Sequence, residues 1–409
     1  MKVLLAAYGT RGDVEPLAAV GRELLRRGHD VCMAAPPHMC GFVESVGLDV
    51  VAWESTPWQG YGDFIGNANG QIPFGAMVEI MEHVARAWAE WCTTLLALAK
   101  GADLLVVNKG GQGRAAIVAE YHDIPLAVLS FFPGEPPRLD GMLGHITRDA
   151  EDAQRRALGL PETTGSFESL EIHAYDELCF PEMATELAKQ GGRSPFIGAL
   201  TLESPTDAYD EVLSWIAAGT PPIYFGFGSM SIESPAHTIA AISAACAHLG
   251  ERALVCAGWS DFSDVPHFEH VKVVDAVNFT TIFPTCRAVV HHGGSATTAA
   301  GLRAGVPTLI LWFSVQDQPM WAAAVERLEV GAGRAFSEST AASLVTDLRS
   351  ILTPQCMSRA REVAAQMTTP AQSVASAADL LEEAVRLGRS STGMSEVSAN
   401  DRIDDVAGH

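Results

Sequence analysis

Residues 287–318 read RAVVHHGGSATTAAGLRAGVPTLILWFSVQDQ, and the fold turns on this stretch. A short β-rich run, Ala288-Val289-Val290, leads into His291-His292 and then Gly293-Gly294. A helix-favouring segment from Ala296 to Ala304 stops at Gly305, and a second apolar run, Thr308 to Phe313, begins after Pro307. Strand, tight turn, helix and strand in that order make one βαβ unit of a parallel sheet. A Gly-Gly-Ser turn feeding a helix leaves backbone N–H groups free at the positive end of the helix dipole, where anions bind. Ser295, Thr297 and Thr298 add hydroxyl donors there and His292 adds an imidazole, so a diphosphate is the natural occupant. Asp317-Gln318 follows the second strand on the same edge of the sheet. A carboxylate only accepts hydrogen bonds while an amide does both, a pairing suited to reading sugar hydroxyls.

The N-terminus has the same logic. Lys2–Ala7 is a run of the kind buried on both faces of a parallel sheet, followed by the loop Tyr8-Gly9-Thr10-Arg11-Gly12-Asp13-Val14-Glu15-Pro16. A helix is expected over 17–27, ending at Gly28, and a strand over 31–34. The loop therefore lies at the carboxyl edge of the first strand, where open α/β sheets take ligands. Its glycines do not follow Gly-x-Gly-x-x-Gly, which argues against a dinucleotide fingerprint. On the bare residues Asp13 also reads as a helix N-cap, and Gly293-Gly294 as an ordinary turn.

Between these two segments, strands are expected at 103–107, 125–130, 223–227, 253–256 and 271–274, and helices at 147–158, 209–218 and 235–249. Later helices are expected at 337–352, 358–366 and 374–387. From Trp53 to Trp91 aromatic residues crowd together with glycines. Trp58, Phe64 and Phe74 there, with Phe131-Phe132 at the end of a strand, suit a wall over an apolar acceptor, although such rings also simply pack a domain. The short polar stretch around Pro205 reads as an interdomain linker.

Composition narrows the function. The formal charge of −22 excludes a phosphate-tracking nucleic-acid surface. No apolar run reaches membrane-spanning length, and the short apolar N-terminus reads as a strand rather than a signal peptide. The eight cysteines show no Cys-x-x-Cys spacing, so a cytoplasmic protein without structural zinc is expected. Residues from Arg389 onward are polar and expected to be disordered.

Taken together, the two segments resemble the signatures of the GT-B glycosyltransferases, in the group of bacterial natural-product and lipid enzymes and sterol glucosyltransferases. The family's HHGGAGTT appears as His291-His292-Gly293-Gly294-Ser295-Ala296-Thr297-Thr298, and its DQP as Asp317-Gln318-Pro319. The family's G-[ST]-R-G-D-[VI]-x-P loop appears as Gly9-Thr10-Arg11-Gly12-Asp13-Val14-Glu15-Pro16. Ala296 stands for a glycine, Leu311-Trp312 where a proline is common, and Phe279 where relatives often carry histidine.

The resemblance implies two Rossmann-like, doubly wound parallel-sheet domains facing across a cleft. Residues 1–205 would bind acceptor and 206–370 the donor, with a helix at 371–388 returning to the first domain and a disordered tail at 389–409. It implies an inverting, metal-independent transfer from a UDP- or dTDP-sugar to a hydroxyl of an apolar secondary-metabolite or lipid acceptor. No Asp-x-Asp pair is present for a metal bridge and no cofactor is expected. By the same resemblance Asp13 is the general base with Thr10 beside it, and Arg11, Gly12, Ser229, His292, Gly293, Gly294, Ser295 and Thr297 face the diphosphate. Val277-Asn278 would meet the base, and Asp317 and Gln318 the sugar. A non-catalytic nucleotide-sugar-binding partner, or a nucleotide-sugar epimerase on this scaffold, would keep the anion site without needing Asp13.

Overall fold

A computed structural model describes residues 1–53, 89–134, 142–161, 169–189, 194–202, 210–230, 232–313 and 317–404. Twelve strands are named among them: β1 Lys2–Ala6, β2 Asp30–Ala35, β3 Asp49–Ala52, β4 Leu104–Asn108, β5 Leu126–Ser130 and β6 Leu170–His173, then β7 Ile223–Gly226, β8 Ala253–Cys256, β9 Val271–Val274, β10 Ala288–His291, β11 Thr308–Trp312 and β12 Gly331–Ala335. They form two six-stranded sheets, ordered β3-β2-β1-β4-β5-β6 and β12-β11-β10-β7-β8-β9. Every named pairing is parallel.

Numbered within its own half, each sheet has the order 3-2-1-4-5-6. Chain direction across the sheet therefore reverses between β1 and β4 and again between β7 and β10, which are the crevices where such sheets bind ligands. The central strands are the apolar ones: all residues of β4, β5, β7 and β10 are buried. One core lies against the first sheet, built from residues such as Leu5, Leu17, Val106 and Leu129; a second, with Phe225, Ile242, Val290 and Leu309, lies against the other.

The halves exchange chain. After β6 the segment beginning at Tyr175 leaves the first core and packs Tyr175, Cys179 and Phe180 against Trp321, Val325 and Val363 of the second half. The Phe180 and Trp321 rings are 4.8 Å apart. The chain returns at Phe196, which bridges to His173, and Ile197 rejoins the first core. In the other direction, the last helix buries Ala377, Ala378, Leu381 and Val385 in the first core. It is also tied there by Arg27 to Asp379 (2.7 Å) and His29 to Glu382 (2.8 Å).

Two expectations are corrected. The first helix spans Arg11–Arg26, not 17–27, so most of the supposed loop is its first turns. Its N-cap is Thr10, and Asp13 is the third helical residue rather than the cap. The last helix spans Pro370–Asp404, not 374–387. Thr369 and Gln372 cap its start reciprocally, and no proline follows Pro370 to stop it. The domain boundary at residue 205, and the acceptor-wall residues Trp58, Phe64 and Phe74, lie outside the described residues.

Candidate active site

At the first crevice the chain leaves β1 and turns at Gly9 into the helix Arg11–Arg26. Gly9 adopts φ +118°, and a Cβ there would lie 2.2 Å from Asp13 Oδ2, so only glycine lets the carboxylate fold back onto the turn. That carboxylate accepts from Thr10 N at 2.8 Å and from Thr10 Oγ1 at 3.4 Å. Asn108, the last residue of β4, donates from Nδ2 to Asp13 Oδ1 at 3.4 Å and to the Tyr8 carbonyl at 2.9 Å. Burial outweighs these donors and pushes the Asp13 carboxyl up to about 6. Sequence reasoning missed Asn108. Its only signal was a polar residue closing the apolar run Leu104–Val107.

At the second crevice β10 ends at His291, and the turn Gly293-Gly294 opens the helix Ser295–Ala304. Gly293 has φ +93°, and a Cβ would meet Ile310 Cγ2 at 2.9 Å and the Gln318 backbone at 3.2 Å. Thr298 donates from both N and Oγ1 to the Gly294 carbonyl, 2.9 Å each, so it braces the first turn from within. The amides before it have no carbonyl one turn back to bond, and Ser295 and Thr297 remain half-buried beside them. His292 is wedged between two glycine loops: a Cβ on Gly228 would come 2.8 Å from its Cε1, and one on Gly294 2.6 Å from its Nε2. Burial lowers its pKa to about 4, so the ring is neutral near pH 7. Fully buried His291, which accepts from Gly293 N at 3.0 Å, is held well below the usual histidine range for the same reason. Ser229 follows Gly228, half-buried, on the loop after β7.

The two crevices face each other. Asp317 stands just before the helix Gln318–Arg327; burial pushes its carboxyl up to about 6, and the charge of Asp13 adds to the rise. The loops after β1 and β11 are thus within electrostatic reach across the cleft. Farther along, a Cβ on Gly134, beyond β5, would touch Met320 Cε at 3.6 Å.

Several assigned residues have other neighbours. Gln318 is buried, accepts from Phe313 N at 2.7 Å and reaches Met230 Sδ at 3.7 Å, so it braces the loops around β11 and β7; of the pair, Asp317 keeps partial exposure. Arg11 pairs with Glu15 at 2.8 Å and lies 4.6 Å over Phe42, engaged within its own half. Gly12, next to it, is exposed. Asn278 accepts from Thr280 N and Thr281 N, capping a short helix whose Phe279 stacks on Phe283, and Val277 precedes it half-buried. Phe131 belongs to the core, whereas Phe132 is 37% exposed at the end of β5 and suits an apolar wall.

Among the described residues no helix is long and apolar enough to cross a membrane, and no group of three or more His, Cys, Asp or Glu side chains is placed to hold a metal.

Residues 3–121 match the glycosyltransferase family 28 N-terminal domain. Residues 244–387 match the erythromycin biosynthesis protein CIII-like C-terminal domain. An uncharacterized glycosyltransferase of Mycobacterium tuberculosis is 54% identical over 95% of this chain and 100% of its own. The calicheamicin glycosyltransferase CalG4 superposes with a TM-score of 0.70 at 17% identity, covering 94% of this chain and 98% of that one. The Streptomyces glycosyltransferase SsfS6 complexed with thymidine diphosphate gives 0.64 at 22% identity, over 94% and 99%.

Proposed function

The chain belongs to the GT-B glycosyltransferases, and we propose that within them it is an inverting, metal-independent enzyme that moves a sugar from a UDP- or dTDP-linked donor to a hydroxyl of an apolar acceptor. The observation that carries this reading is the pairing across one cleft: Asp13 on the first half, and the His292-Gly293-Gly294 turn with Asp317 on the second. The departing diphosphate takes the unpaired amides at the start of Ser295–Ala304, which stabilise its growing charge. A carboxyl near 6 is ionised at pH 7.5 yet basic enough to accept a proton. As the acceptor oxygen bonds to the anomeric carbon, its proton passes to Asp13 and the bond to the diphosphate oxygen breaks on the opposite face. One such displacement inverts the anomeric centre. The exposed Phe132 supports an apolar acceptor, a secondary metabolite or a lipid.

Purified protein screened by mass spectrometry for consumption of UDP- and dTDP-sugars against a panel of apolar acceptors tests the substrate classes. Proton NMR of the product tests the stereochemistry, and an unchanged anomeric configuration would rule out a single displacement.

The neutral state of His292 revises what it contributes. A charge-assisted phosphate contact is worth about 1.5–3 kcal/mol, but a neutral imidazole donates an ordinary hydrogen bond worth about 0.5–1.5 kcal/mol. At pH 7.5, His292→Ala is therefore expected to weaken UDP or dTDP binding about two- to twelvefold. A bound diphosphate raises the ring's pKa from about 4, so binding takes up a proton as pH falls. Wild-type affinity should then gain on the variant between pH 8 and 5. Titration calorimetry showing the two proteins equal across that range would remove the phosphate role.

A further inference from the structure

We propose that the acceptor site is completed from the donor half: Met320 closes over the apolar body of the acceptor, opposite Phe132, and selects acceptors by length. This rests on the reading of an apolar acceptor above and adds the residue that covers it. Across the first sheet the order β1-β4-β5 sets three loops side by side at the carboxyl edge. Adjacent strands lie about 4.8 Å apart, so the loop after β5 is about 10 Å from the loop that leads to Asp13. An acceptor with its hydroxyl at Asp13 and its apolar body at Phe132 has to cross the loop after β4.

That crossing is clear of side chains. The β4 loop is Lys109-Gly110-Gly111. Gly110 is exposed, and a Cβ there would meet nothing within 4 Å. Gly111 rests on Trp91, where a Cβ would come 3.2 Å from the ring. The charge of Lys109 is met by Glu171 of β6 at 2.7 Å, and the lysine side chain is only 9% exposed. A smooth strip of this kind suits a fused-ring skeleton or an alkyl chain. At its far end stand Phe132, 37% exposed, and Gly134, also exposed. The second half reaches over at this point: a Cβ on Gly134 would lie 3.6 Å from Met320 Cε and 3.9 Å from its Sδ. Met320 is 38% exposed, whereas Trp321, Ala322 and Val325 of the same helix are buried. It follows Asp317 by three residues, a spacing that puts both on one face of the helix start. Two large apolar side chains thus stand open to water on opposite sides of one cleft. An apolar body lodged between them removes both from water, and the unbranched thioether adapts to its shape.

Steady-state transfer by the full-length protein to cyclohexanol, decahydro-2-naphthol and androstan-3-ol, with a UDP- or dTDP-sugar as donor, tests this. Wild-type kcat/KM should rise along that series as the ring system lengthens. Losing about half of a methionine's burial corresponds to about three- to tenfold, so Met320→Ala should raise the KM for androstan-3-ol by that factor. The KM for cyclohexanol, the kcat and the donor KM should stay within twofold. Met320→Leu should behave as wild type, whereas Met320→Gln, as long but polar, should lose as much as alanine. Phe132→Ala should show the same dependence on acceptor length. Equal changes for cyclohexanol and androstan-3-ol, or a donor KM that moves with them, would overturn the assignment and leave Met320 a support of the donor side. A wild-type protein that binds UDP or dTDP yet transfers to none of the three alcohols would instead sink the apolar-acceptor reading itself.

Discussion

Asp13→Asn is expected to leave the protein folded and the donor bound while turnover falls by about two to four orders of magnitude, the range of a general-base contribution. The amide oxygen of asparagine can still accept from Thr10 N, as Asp13 Oδ2 does at 2.8 Å, so the capped helix start survives. What the variant lacks is a site for the acceptor's proton. The wild-type rate should fall on the acid side with an apparent pKa near 6, and that limb should vanish in the variant.

Stability supplies an independent sign. The folded carboxyl titrates at about 6 against an ordinary value of 3.8, so the folded state holds this proton more tightly than the unfolded chain. Its contribution to stability therefore rises as pH falls through 6 and is complete below about 4. Above 6 the buried charge is a net cost that asparagine removes. Asp13→Asn should match or exceed wild-type melting temperature at pH 8 and lose ground near pH 5. Asp13→Ala, which cannot accept from Thr10 N, should cost roughly 0.5–1.5 kcal/mol. Near-wild-type turnover in Asp13→Asn with a verified acceptor would leave Asp13 a structural residue.

The largest loss of stability is expected from Arg303→Ala. Arg303 lies in the last turn of Ser295–Ala304, the helix whose other end forms the anion site. Its guanidinium donates to the Thr368 and Ala199 carbonyls at 2.8 Å each, to Ser373 Oγ at 3.2 Å and to Thr201 Oγ1 at 3.3 Å. Burial lowers its pKa and the nearby Asp176 partly restores it, while Asp176 Oδ1 accepts from Thr368 N at 2.7 Å. Truncation strands two carbonyls and loosens the junction of linker, donor helix and returning helix. A loss of about 3–5 kcal/mol in urea unfolding follows, the scale of a broken buried charged network. Lysine, without the planar fork, should recover only part of it. A loss below about 1 kcal/mol would show that the junction is held by apolar packing instead.

Much of this was legible in the chain because central parallel strands must be continuously apolar. β8 and β9 match the expected spans, and β10 and β11 differ by one residue at an end. Of the four edge strands only β9 was legible: β3 reads DVVA, β6 LEIH and β12 GAGRA, each with partly exposed residues. The first helix was misjudged because Pro16 reads as a barrier. The helix tolerates it because Val14, Leu17 and Ala18 are buried and its start is capped. At the site, loop glycines and acids were visible as residue types. Asn108 and the bracing role of Gln318 were not, since each depends on which loops the sheet order makes neighbours.

The exchange of chain between halves bears on recombining this enzyme with its relatives. A hybrid joined once near residue 205 would pair Tyr175 and Phe180 from one parent with Trp321 from the other, and Arg27 and His29 with a foreign Asp379 and Glu382. Both mismatches fall in packed or hydrogen-bonded contacts. Exchanging donor preference cleanly takes four junctions: 175–196 travels with the second half, and the helix from Pro370 to Gly388 stays with the first.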